Sequence, residues 1–130
     1  LKELIIHWLK SGDEHLILLE DQDEIVFRLQ GNKVLMCATL TSTSPSNTEL
    51  QSWVRLGAAS LTHFQGALAR APSSGALWII QRPQDATEAP RVLGSIESLL
   101  HQRDTWRAVY ARLKKPVRQL QPTLLRSLRP

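Results

Sequence analysis

Between residues 15 and 40, three strand-like runs follow one another with almost nothing between them. Residues 15–20 are nearly all apolar. Residues 24–30 put Ile25, Phe27 and Leu29 on one face and Val26 and Arg28 on the other, and residues 33–40 carry Val34, Leu35, Met36 and Cys37. The links are Asp21-Gln22-Asp23 and Gly31-Asn32, and the second is a hairpin signal. Links that short cannot carry a chain across a sheet to start a parallel strand. The segment must therefore be a three-stranded antiparallel meander. Apolar side chains on both faces predict that both are covered, one by helices and one by something else.

Helical spacing brackets the meander. Leu1, Leu4, Ile5, Trp8 and Leu9 form one stripe of a short helix, with Gly12 as its C-cap. Ser46 and Glu49 have the spacing of a capping box. Behind it, Leu50, Trp53, Val54, Leu61, Phe64 and Leu68 fit a second helix ending near Arg70, kept slim by Gly57, Ala58 and Ala59. Residues 76–81, around Trp78, read as a fourth strand, and residues 82–90 as a polar loop. A long stripe from Val92 through Leu99 and Trp106 to Leu113 predicts a third helix starting at Pro90 and stopped or kinked by Pro116. The order α-β-β-β-α-β-α predicts an α+β fold, an antiparallel sheet of the meander plus one or two further strands, flanked by three helices. The reading is one domain over residues 1–113 and a basic tail over 114–130.

Charge divides the same way. The chain has 130 residues and a formal net charge of +4. Up to Trp106 there are 12 acidic and 9 basic residues; from Arg107 onward there are 7 basic residues and no acidic one. An acidic body thus carries a basic end. The segment beyond Val117, with Leu120, Leu124 and Leu128 four apart, reads as a basic amphipathic helix or as a segment that orders on binding. Arg112, Lys114, Lys115, Arg118, Arg126 and Arg129 would serve a nucleic-acid arm, a dock for an acidic protein, or simply a solvated helix end.

Catalytic signatures are missing from the sequence: there is no phosphate loop, HExxH, nucleophile elbow or CxxC. No cofactor or metal is implied. His7, His15, His63 and His101 fall on separate elements without ligand spacing. Cys37 is a lone thiol in a strand, expected to be buried and inert. Trp8, Trp53 and Trp106 sit on apolar helix stripes and are expected in the core; Trp78 suits either core or a subunit interface. No run is long and apolar enough for a membrane span. The chain begins at Leu1 rather than Met, as a trimmed start would.

The whole-chain pattern resembles the class I type III secretion chaperones and the chaperone-like regulators of the same bacterial export systems, Hrp-type relatives included. The correspondence runs through residues 1–10, 15–40, 48–70, 76–81 and 90–113. It is one of order and size rather than of a motif. The family usually has two strands between its second and third helices, where only 76–81 is clear here. The resemblance implies a cytoplasmic, non-enzymatic protein that binds a secreted or regulatory protein of the system. It implies a homodimer or a heterodimer with a related chaperone. The partner's non-globular segment would then meet Leu1, Ile5, Leu16, Leu18, Val26 and Leu29. Dimerisation would use Trp53, Gly57, Leu61, Leu77, Trp78 and Ile79. A nucleic-acid-binding regulator using the basic tail is the alternative.

Overall fold

The computed structural model describes residues 2–60, 63–85 and 89–114. Its elements are α1 (Lys2–Ser11), β1 (His15–Glu20), β2 (Asp23–Gln30), β3 (Lys33–Thr39), α2 (Asn47–Ala59), β4 (Ala67–Arg70), β5 (Leu77–Asp85) and α3 (Ala89–Lys114). The strands form a single antiparallel sheet in the order β1-β2-β3-β5-β4, so β1 and β4 are its edges. Both hairpins turn in two residues. Glu20 pairs with Asp23 and Gln30 with Lys33, leaving Asp21-Gln22 and Gly31-Asn32 at the bends. Asp21 and Gly31 each take positive φ there, 58° and 65°, as tight hairpin turns require.

Alternation decides what is buried. Ile25 and Phe27 of β2, Val34, Met36 and Ala38 of β3, and Leu77 and Ile79 of β5 face the helices. Ile5 and Trp8, Trp53 and Leu56, and Val92, Ile96, Leu99 and Trp106 meet them from α1, α2 and α3. Trp8 packs edge-on to Phe27, with centroids 5.8 Å apart. The three helical tryptophans are core residues, as their stripes require. Ser46 and Glu49 form the expected capping box at the start of α2.

Two boundaries differ from the sequence expectation. The second helix stops at Ala59, where the Ser60 amide donates to the Leu56 and Gly57 carbonyls, and residues 67–70 are an edge strand paired with β5. This supplies the second strand between helices α2 and α3. The spacing of Phe64 and Leu68 imitates a helical stripe, but Gly66 breaks it. A Cβ at Gly66 would collide with Ile79 Cγ2 and lie 2.6 Å from Gln102 Oε1. The other difference is β5, which runs on through residues 82–85 instead of becoming a loop. Its pairing with β3 shifts between Val34 and Met36, and that irregularity accommodates Pro83, which has no amide to give.

Gln102 explains why β4 lies where it does. It is buried in α3, and its side chain accepts from the Gly66 amide and donates to the Gly66 carbonyl, both at 2.9 Å. Those backbone groups have no water to turn to, so losing the side chain leaves both unsatisfied. Gln102→Leu is expected to cost about 2–4 kcal/mol in urea unfolding. Gly66→Ala should also destabilise, because both neighbours would have to move.

Candidate functional site

The helices cover one face of the sheet, and no described element packs on the other. The sequence expectation that something covers both faces is therefore corrected within this chain. One row of the bare face is apolar across its full width, between rows that also carry His15 and Arg28 on one side and Glu24 and Thr39 on the other. Ile17 pairs with Val26, Val26 with Cys37, Cys37 with Ile80, and Ile80 with Ala67, so one row of side chains crosses all five strands. A second set, with Leu19 on β1 and Trp78 beside Ala69 on β5 and β4, lies next to it. Exposure rises toward the β1 edge, reaching 57% at Ile17 and 72% at Leu19. Toward the other edge, Val26, Cys37, Ala69, Pro72, Trp78 and Ile80 border an open groove of ≈ 250 Å³. Burial pushes the Cys37 thiol up, which keeps it protonated and unreactive at neutral pH.

The residues singled out for partner binding divide between the two faces. Val26 is on the bare row. Leu16, Leu18 and Leu29 are half-buried on the helix side, packed against the core. Ile5 is fully buried, so its role here is packing; Leu1 lies outside the described residues. Sequence reasoning missed Ile17 and Leu19. They alternate with Leu16 and Leu18 in a run apolar on both sides, and only the pairing with β2 shows which pair looks outward.

The dimerisation set divides similarly. Leu77 and Ile79 are core, while Trp78 lies on the bare face. Trp53 is buried and stacked on Tyr110, with centroids 4.0 Å apart. Gly57 is slim for an internal reason, since a Cβ there would stand 3.3 Å from the Trp106 ring. Leu61 lies outside the described residues. What α2 leaves free is Val54, 52% exposed, and Ala58, beside a shallow hollow of ≈ 280 Å³ reaching Ala67 and Leu68 on the β4 edge.

The basic end begins as structure. Arg107 donates to both carboxylate oxygens of Asp23, at 2.7 and 2.9 Å, and to the Leu40 and Thr39 carbonyls. Arg103, its side chain 4% exposed, bonds Glu20 at 2.7 Å and Asp104 at 3.0 Å. Burial opposes its charge, and those hydrogen bonds outweigh the penalty, raising its pKa. The Arg107 hydrogen bonds draw the Asp23 carboxyl below the ordinary carboxylate range. Lys114 binds Glu49 at 3.0 Å and sits over the Tyr110 ring. Held first by the Ser46 amide and then by Lys114, the Glu49 carboxyl is lowered to about 2. Arg112 is exposed on the last turn of α3, and Lys115, Arg118, Arg126 and Arg129 lie outside the described residues. Helix α3 thus draws Arg107, Arg112 and Lys114 into the body, and residues 1–114 carry 12 acidic and 12 basic residues.

Among the described residues there is no cluster of three or more metal-ligating side chains, and no helix is long and apolar enough to cross a membrane. His7 and His15 stand exposed and apart, whereas the fold brings His63 and His101 to one cavity.

Two solved structures share this architecture. The HopA1-SchA chaperone-effector complex contains a chain matching at TM-score 0.59 and 14% identity, over 82% of this chain and 92% of that one. A chain of the ExsC-ExsE complex matches at TM-score 0.61 and 14% identity, over 84% and 92%. The chain therefore has the class I type III secretion chaperone-like fold, an α+β fold of three helices on a five-stranded antiparallel sheet. At that identity the likeness is one of fold. No family model and no curated protein matches the sequence.

The Asp23 clamp carries a pH signature. A carboxyl whose folded pKa lies below its unfolded value contributes stability that is present above the unfolded pKa. That stability is lost as pH falls through the folded value. For Asp23 the loss starts near the ordinary value of 3.8 and continues below it. Asp23→Asn is expected to lower stability at neutral pH by about 1–2 kcal/mol and to flatten the acid limb of a stability–pH curve.

Proposed function

We propose that this chain is a non-catalytic chaperone or chaperone-like regulator of a bacterial type III secretion system, working in the cytoplasm. Its cargo is an apolar, non-globular segment of a secreted or regulatory protein of that system. The observation that carries the reading is the bare apolar row, which ends at an edge strand whose backbone is open to pairing. A segment paired alongside β1 would gain main-chain hydrogen bonds, and its alternate side chains would lie on the row. Covering Ile17 and Leu19 would contribute about 1.5–3 kcal/mol each before the cost of ordering the guest. That cost keeps affinity per area moderate and release possible without ATP. Val26, with Ile17 and Leu19, forms the contact surface; Leu16, Leu18 and Leu29 support it from the helix side. The SchA structure, a chaperone-effector complex on the same fold, supports this choice of partner.

The same reading assigns the free side of α2 and the β4 edge to a second copy or a related chaperone, through Val54, Ala58 and Leu68, with Trp78 next to that edge on the bare face. Ile17→Asp combined with Leu19→Asp tests the sheet face, because both side chains are already exposed and the fold should survive. Co-expressed in a host with the export system, the wild-type chain should retain an exported protein identifiable by mass spectrometry, and the double variant should lose it. Equal retention by both would remove the sheet face from the reading. A strictly monomeric wild-type chain that retains no secretion protein would remove the chaperone reading altogether.

A further inference from the structure

The β1 margin of the bare face and the basic end of the chain carry matching patterns. Asp13, His15, Ile17, Leu19 and Asp21 occupy every second position along β1 and its flanks, so exposed aliphatic side chains stand between two acids eight residues apart. Asp13 and Asp21 are exposed, and neither forms an ion pair among the described residues. Glu24, paired with Leu19 across the hairpin, adds acid at the Asp21 end; Arg28, paired with His15, is a base near the other. Residues 115–130 lie outside the described residues, but their sequence answers this order. Arg118, Leu120, Pro122, Leu124 and Arg126 also take every second position, with apolar residues between two arginines eight apart. From Arg107 onward there is no acid.

Position and length let the two meet. Arg107 binds Asp23 beside the β1–β2 turn, and α3 ends at Lys114, about 10 Å further along its axis. The 16 residues after Lys114 reach up to about 50 Å when extended, and the strip from Asp21 to Asp13 is about 26 Å long. We infer that residues 118–126 of this chain cover the β1 margin of the bare face when no guest is bound. They run antiparallel to β1, with Arg118 toward Asp21, Arg126 toward Asp13, and Leu120 and Leu124 over the side chains between. A tether makes a weak contact sufficient, because it holds the segment at an effective concentration of order millimolar.

The cover is built to yield. The Leu29 amide donates to the Glu14 carbonyl, so even positions of β1 bond to β2, while Ile17 and Leu19 turn their backbone groups to the free edge. Pro122, opposite Ile17 in this arrangement, has no amide to give there. A guest with a complete backbone makes the bond that this segment cannot. The inference rests on the guest site proposed above for its consequence. A face covered about nine-tenths of the time binds its guest about tenfold more weakly.

The test uses the full chain carrying Cys37→Ala and Thr123→Cys, with a nitroxide attached at position 123. The readout is the methyl NMR signals of Ile17 and Leu19. Both should broaden more strongly than those of Val92, which is buried on the helix side. Arg118→Glu with Arg126→Glu should reduce that broadening severalfold. Asp13→Asn with Asp21→Asn should do the same, and Asn tolerates the positive φ at position 21. The paired arginine variant should also retain severalfold more exported protein in the co-expression experiment. No broadening, or equal broadening in the charge variants, would overturn the inference. So would broadening of unlabelled chains by admixed nitroxide-bearing ones, which would give the strip to a second copy's segment. Retention of an exported protein without broadening removes the cover alone; broadening without retention removes the guest reading and leaves the cover standing.

Discussion

The structure depends on how α3 is fastened across the sheet. Gln102 grips the backbone at the start of β4, one edge of the sheet. Arg103 and Arg107, one and five residues further on, grip Glu20 and Asp23 at the β1–β2 turn by the other edge. Apolar burial would let the helix slide or rock, since it carries little direction. Directional bonds at both edges fix its position and angle. With α3 fixed, α1 and α2 can pack only beside it, so all three helices share one face and the opposite face stays bare.

That strap also reassigns charge. A carboxylate pair in a tight hairpin would normally repel, and here it becomes the anchor for two arginines. Arg107 is half-buried and bidentate, the geometry in which an ion pair between parts of one chain is worth most. Lys114 and Glu49 repeat the theme more weakly at the exposed end of the helix, where solvent screens them.

Much of the fold was legible in the sequence because its signals are local. Two-residue turns at Asp21 and Gly31, the Ser46–Glu49 box and the stripe of α3 each need only neighbouring residues. What stayed hidden depends on distant partners. Gly66 acts through Gln102, 36 residues away, so helical spacing alone runs residues 67–70 into α2. The edge of β1 is apolar on both sides, so alternation showed two faces without saying which was free. His63 and His101 border one hollow only because residues 63–65 lie beside α3. The candidate surface was therefore legible at Val26 and illegible at Ile17 and Leu19, the residues that expose most.

An edge strand with two bulky aliphatic side chains in the open is a template for misassembly between copies. β1 is preceded by Asp13 and Glu14 and ends in Glu20 followed by Asp21, all exposed. Charges flanking an unavoidable sticky strand act as gatekeepers, because two such edges brought together would confront like charge at both ends. The acidic charge at the two ends of this edge thus has a colloidal meaning. It opposes the zipping of one bare apolar edge onto another of its own kind.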